Sequence, residues 1–251
     1  MTLLKRLLFF AALIVFWGLL ANRHIWDATL FPSPLDVGRT LWAMIADGSL
    51  PDAVAVSLRR VMLGYLVSLA IGVPLGILLA RQRWAEDTLG SLVTGFQALP
   101  SICWLPLALL WFGLNDRAIL FVVVMGSMVS ITVAVRDGVH NLPPTYVRAA
   151  RTMGTGGLRM VTDVILPASL PAVMTGAKLG WSYAWRALMS GELLFVSLGL
   201  GHMLMMGREL SDMSQVLSVM IVIIALGLLA DNMVFGSLER LVRRQWGLGT
   251  A

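Results

Sequence analysis

Tyr146 to Pro171, YVRAARTMGTGGLRMVTDVILPASLP, is the longest polar insertion in an otherwise lipid-soluble chain, and how it is read decides how the rest is threaded. Pro143 and Pro144 end whatever precedes it, Thr145 offers a cap, and Tyr146 to Met153 has the alanine, arginine and valine content of a short amphipathic helix. Gly154, Gly156 and Gly157 break that helix. A second helical run, Leu158 to Leu166, carries Arg159 and Asp163 and is expected to stop near Pro167. The sequence therefore predicts helix, tight turn, helix on the cytoplasmic side, the first helix being too short and too charged to cross a bilayer. Ala149 and Ala150 leave a smooth knob that fits a groove in another protein. By themselves these features also describe an ordinary loop resting on lipid headgroups.

Around this insertion the chain of 251 residues is 58% hydrophobic and 13% charged, with a mean hydropathy of +0.82. No soluble core hides so much apolar surface, so the chain belongs to the membrane class. The single Cys103 excludes an internal disulfide, and His24, His140 and His202 are too scattered for a metal site. The net charge of +5 records membrane topology rather than nucleic-acid binding.

The expected fold is all-α, a polytopic transmembrane bundle of about six spans forming a single domain over residues 1–251, with the polar loop at 143–167. Lys5 and Arg6 precede an apolar run from Leu7 to Ala21 that lacks a small-x-small cleavage site, so it reads as a retained first span. Asn22 to Arg60 reads as periplasmic, with a turn at Pro32 to Pro34 and an amphipathic piece around Val37 to Ile45 lying along the membrane surface. The second span, about Val61 to Ala80, carries Gly64, Ser68, Gly72, Gly76 and Ala80 at every fourth position, a ridge for close helix packing, and Pro74 is expected to bend it. The third, Thr88 to Asn115, is expected to break at Pro100 or Pro106, either as a kink or as a hinge. The fourth covers about Ala118 to Val135, the fifth follows Pro167, and the sixth starts near Met213 and ends toward Arg240, Arg243 and Arg244. This threading puts both termini in the cytoplasm. Eleven basic residues then lie inside (Lys5, Arg6, Arg81, Arg83, Arg136, Arg148, Arg151, Arg159, Arg240, Arg243, Arg244) and six outside (Arg23, Arg39, Arg59, Arg60, Arg117, Arg208), in keeping with the positive-inside rule.

The fifth span holds the intramembrane charges Lys178, Arg186 and Glu192. At roughly 100° per residue, Lys178, Trp181, Trp185, Met189 and Glu192 share one helix face. Arg186 lies on a neighbouring face, able to reach the same cavity or to pair with Glu192 or Asp231. These groups either line a solute path or form structural ion pairs inside the bundle.

Ala149, Ala150 and Gly154, followed by Ile165, Leu166 and Pro167, resemble the EAA loop of permease subunits of bacterial ATP-binding-cassette importers. Leu99 to Gly113 (LPSICWLPLALLWFG), Ser182 to Leu194 (SYAWRALMSGELL) and Leu198 to Gly201 (LGLG) extend the likeness over nearly all of the chain after about Phe31. Together they are similar to the branch handling nitrate, aliphatic sulfonates, taurine and bicarbonate. The resemblance implies a type I importer permease of the bacterial inner membrane. It implies that Arg148, Ala149, Ala150, Arg151, Gly154, Ile165, Leu166 and Pro167 couple to a cytoplasmic ATPase pair, and that a periplasmic binding protein delivers the solute. One departure is Arg148, which stands where the family motif opens with Glu.

A G-x-x-x-x-G-K-[ST] phosphate loop is absent from the sequence, so the chain itself is not expected to be an enzyme or to bind a cofactor; ATP and Mg belong to the partner ATPase. Six spans are few to enclose a path, and pairing with a second copy is the commonest completion. Membrane lipid surrounds the assembly. A self-sufficient secondary transporter or channel, a membrane scaffold, and an importer for a thiamine-precursor-like metabolite are the alternatives.

Overall fold

The computed structural model describes residues 2–23, 27, 29–194 and 198–237; His24, Arg240, Arg243 and Arg244 lie outside these. Among the described residues every regular element is helical: α1 Thr2–Asn22, α2 Pro34–Ala46, α3 Ser49–Arg81, α4 Arg83–Gln97, α5 Ser101–Phe112, α6 Asp116–His140, α7 Pro144–Thr152, α8 Gly157–Glu192, α9 Leu200–Glu209 and α10 Met213–Met233. Local chemistry sets several starts. Ser33 caps α2 by accepting from the Asp36 N–H at 3.3 Å, with Pro34 following it, and Asn115 caps α6 by accepting from the Arg117 N–H at 2.9 Å.

Four helices, α3, α6, α8 and α10, are long and apolar enough to cross a membrane, and α4 with α5 makes a fifth if that bent pair counts as one span. The apolar part of α1, Leu8–Asn22, is shorter than these. One sequence expectation is narrowed here and two change. The expected third span turns by 107° between Gln97 and Ser101, so the break falls at Pro100, whereas Pro106 sits in the first turn of the regular part of α5, where a missing N–H costs nothing. The helix after the glycine turn does not stop at Pro167. A widened π-type turn over Met160–Ile165 relieves the clash between the proline ring and the preceding carbonyls, and α8 runs on to Glu192. Finally, Pro143 rather than Thr145 occupies the cap position of α7.

The chain divides into two units, Met1–Leu58 with Glu192–Leu226, and Arg59–Gly191 with Gly227–Ala251. In the second unit, α6 is the central element. The small-residue face of α3 lies against it so closely that a Cβ at Gly64 would meet Val123 Cγ1 at 2.6 Å and one at Gly76 the Thr132 carbonyl at 2.6 Å, while Ser127 Oγ donates to Ser68 Oγ at 2.7 Å. Gly72 of α3 and Gly180 of α8 both face Ile131, and Ile119, Val122, Val123, Ile131 and Val135 are fully buried. At one end of this packing Arg60, 4% exposed, meets Asp116 at 2.6 Å, and Arg59 stands 3.7 Å from the same carboxylate. In the first unit, Ser218 Oγ donates to the Val37 carbonyl at 2.9 Å, joining α10 to α2, and Gln215 Nε2 donates to the Met203 carbonyl at 2.9 Å, joining α10 to α9.

Candidate functional site

The glycine turn is built as a helix stop. α7 ends with Gly154 at φ +81°, its N–H donating to the Arg151 carbonyl at 3.0 Å and the Thr155 N–H to the Ala150 carbonyl at 2.9 Å, a Schellman arrangement that satisfies the last carbonyls. Beneath it Ala150, Met160 and Ile165 are buried together, with Val139, Leu142, Val147 and Val164 packed against them. The turn is thus seated on the end of α6 and the first turns of α8. Its other side is open: Arg148, Ala149, Arg151 and Gly154 are exposed beside Tyr146, Met153 and Leu158, while Leu166 and Pro167 are half-buried. Of the residues the resemblance marks for coupling, the structure brings Ala150 and Ile165 into the seat and turns Arg148, Ala149 and Arg151 outward.

The α8 stripe divides once the neighbours are in place. Lys178 Nζ lies 3.3 Å from Asp231 Oδ2, so Asp231, one of the alternatives open to Arg186, is paired with Lys178. Trp181 and Trp185 are buried, their rings stacked at 6.4 Å, with Tyr65 edge-on to Trp181 at 5.3 Å and Phe235 at 6.1 Å. Tyr65 Oη donates to the Ala177 carbonyl at 2.8 Å, locking this aromatic group to α8. These two tryptophans belong to the packing of the second unit rather than to an open face. Met189 is half-buried.

Glu192 is also removed from any open face. Its carboxylate, fully buried, accepts from Ser57 Oγ at 2.8 and 2.9 Å and from the Gly201 N–H at 3.0 Å, and Ser57 Oγ in turn accepts the Leu200 N–H at 2.9 Å. A carboxylate and a hydroxyl thereby satisfy the first N–H groups of α9. Helical periodicity placed Glu192 correctly on its helix, but the returning Leu198 to Gly201 segment covers it.

Arg186 keeps an exposed position. Its Nε donates to the Ser182 carbonyl at 3.1 Å and its guanidinium stands 4.7 Å from the centre of the Tyr183 ring. Both side chains line a cavity of about 300 Å³ at the break between α4 and α5, together with Gln97, Ser101 and Ser130.

A family profile described as binding-protein-dependent transport system inner membrane component matches residues 72–246. The chain belongs to this family. It is 33% identical to an ABC transporter permease protein of Methanocaldococcus jannaschii, covering 88% of this chain and 85% of that one. It is 25% identical to the taurine transport system permease protein of Escherichia coli (88% and 82% covered) and 25% identical to the nitrate import permease protein of Synechocystis (92% and 86% covered). Among solved structures, a chain from inward-facing conformations of the MetNI methionine ABC transporter superposes with a TM-score of 0.67 at 19% identity, covering 74% of this chain and 92% of that one, a likeness of fold.

Two features of this permease were not singled out from sequence. The Arg60–Asp116 pair joins residues 56 positions apart, and its local trace is only an arginine doublet at the start of a span and an acid at the start of another. The cavity at the helix break has a clearer signal, Gln97 preceding Pro100 within an apolar run.

Proposed function

We propose that this permease is the membrane-spanning subunit of an ATP-driven, binding-protein-dependent importer, acting as one permease domain that pairs with a second copy and moves a small anion by alternating access. The observation that carries the reading is the glycine turn: an exposed knob of Arg148, Ala149, Arg151, Tyr146 and Met153 whose buried base, Ala150 with Met160 and Ile165, is continuous with α8. A cytoplasmic ATPase pair, which would hold the ATP and Mg, grips the knob. Closure of that pair displaces the two turns, and because each is seated on the first turns of α8 and the end of α6, the displacement passes into these helices as a rigid-body movement. Hydrolysis resets them. Along α8, Arg186 is the path residue, and Lys178 with Asp231 is the ion pair that moves with it. The names of the relatives, nitrate and taurine, favour a small oxyanion delivered by a periplasmic binding protein, with sulfonates and bicarbonate in the same chemical class.

The test is to tag the chain, extract it gently from its native membrane, and identify bound proteins by mass spectrometry with and without a bulky charged residue at Gly154. A stoichiometric ATPase that is lost or weakened in the variant supports the reading. Recovery of the chain alone, still moving solute in vesicles without nucleotide, makes it a self-sufficient transporter and sinks the reading.

A further inference from the structure

The polar side chains around the helix break, Gln97 and Arg186 exposed and Ser101 and Ser130 half-buried, make few contacts with other described residues. In the spanning helices most serine and threonine hydroxyls return to the carbonyl four residues before them, as Ser182 does to Lys178 and Ser190 to Arg186. Ser101 and Ser130 do not; neither their hydroxyls nor the Gln97 amide has a hydrogen-bond partner among the described residues. The two terminal amino groups of Arg186 likewise make no ion pair or hydrogen bond to a described residue, its contacts being Nε to Ser182 and the Tyr183 ring. All four side chains line the same cavity of about 300 Å³, and no carboxylate is among its lining residues. In addition α5 starts there, with Pro100 at the cap and no side chain satisfying its first N–H groups.

We propose that this cavity is an oxyanion subsite within the permease itself, so that selection of the solute is made twice, once by the binding protein and once at Arg186. The guanidinium offers a planar fork to two oxygens of a nitrate, bicarbonate or sulfonate group, and the hydroxyls of Ser101 and Ser130 and the Gln97 amide donate to the remaining one. The start of α5 adds the positive end of a half-helix, the arrangement by which interrupted membrane helices hold anionic groups. Tyr183, under the guanidinium, fixes the fork without neutralising it. A volume near 300 Å³ sits at the small end of ligand cavities and suits a solute of a few heavy atoms. The subsite rests on the proposed import of a small anion, and it goes beyond it by assigning recognition to this chain.

The full chain in phosphatidylcholine nanodiscs is titrated with nitrate, bicarbonate, taurine and ethanesulfonate, with ethylammonium as the cationic control at matched ionic strength. The readouts are the thermal unfolding midpoint and tryptophan emission, Trp104 standing 5.3 Å from the lining residue Phe96. At least one of the anions is expected to raise the midpoint saturably, and ethylammonium is not. Arg186→Gln should weaken that anion by at least about tenfold, with Arg186→Lys intermediate because it keeps charge but loses the fork. If Arg186→Gln does not fold, Ser101→Ala with Ser130→Ala serves instead and should weaken binding several-fold. Silence from all four oxyanion-bearing solutes overturns the subsite, as does equal affinity in the variants. Loss of the response when phosphatidylglycerol is added makes a lipid headgroup the occupant and also overturns it. Whether an ATPase co-purifies with the wild-type chain judges the importer reading separately, so the two can fail independently.

Discussion

The carboxylate of Glu192, at the last residue of α8, accepts the backbone N–H of Gly201 at 3.0 Å, in the first turn of α9. With Ser57 Oγ 2.9 Å from Oε1 and 2.8 Å from Oε2, one buried acid fixes the start of a helix and ties it to α3. The glycines beside it are there for room: a Cβ at Gly199 would fall 2.6 Å from Glu192 Oε1, and one at Gly201 would fall 2.5 Å from Glu192 Cβ. The LGLG segment is therefore shaped around a side chain, and the residues of the two motifs form one unit of structure.

Gly201→Ala is expected to destabilise the protein by about 1–3 kcal/mol, the usual cost of forcing an extra carbon into a packed site. Glu192→Gln should cost about 1–3 kcal/mol as well, since an amide nitrogen cannot accept and a donor now held by the carboxylate, Ser57 Oγ or the Gly201 N–H, loses its partner. Unfolding midpoints in detergent measure both. An unchanged midpoint for Glu192→Gln, with transport lost, would return this residue to the solute path.

Gly154→Ala meets no steric obstacle, because nothing lies within 4 Å of the added carbon, so its whole effect comes from φ +81°. That strain is worth about 1 kcal/mol. The expected result is fraying of the turn, with less solute moved per ATP, and Gly154→Asn should retain more coupling because asparagine tolerates left-handed backbone. Identical coupling ratios in reconstituted vesicles for all three residues would count against the turn as the lever.

How much of this was legible follows from the distance over which each signal acts. Small residues every fourth position are a local pattern, and in the structure they are where α3 meets α6. The helix stop at Gly154 is likewise local. Periodicity also placed Lys178, Trp181, Trp185 and Glu192 on a helix, but it assigns a face and not what covers that face. The partners that cover it are Tyr65, Asp231, Phe235 and Ser57, the last being 135 residues away from Glu192. Pro167 misled for a physical reason: a proline stops an α-helix of regular pitch, whereas the wide turn over Met160–Ile165 leaves its ring room.

Lys178 and Asp231 are each more than a third exposed on the protein surface, with side-chain exposures of 38% and 39%. Screening by water would leave such a pair worth little, while a surrounding bilayer would make either charge costly alone. Asp231→Asn is therefore expected to lower the midpoint in nanodiscs more than in detergent, by about 1–2 kcal/mol. Adding Lys178→Met should restore most of the loss. Additive losses in that double-mutant cycle would show that the two residues act separately.

Arg148 is exposed on α7 beside Arg151, and Arg159 is exposed on the first turn of α8, so the surface offered by the knob is basic where the family motif offers an acid. A partner that grips this surface has to present complementary, acidic groups in its groove, because like charges set face to face at an interface are repelled. Arg148→Glu changes the local charge by two units without touching the buried seat formed by Ala150, Met160 and Ile165, so folding should be untouched. The proposed ATPase partner should then bind about threefold to tenfold more weakly at low salt, the on-rate falling more than the off-rate rises. Because the charges are exposed, the difference should shrink as ionic strength rises and the Debye length falls to about 3 Å at 1 M. Binding measured by biolayer interferometry across that salt range separates the possibilities. Equal affinities at every salt concentration would make Arg148 a neutral replacement, and tighter binding by the glutamate variant would mean that the partner's groove carries the basic complement of the family motif's acid.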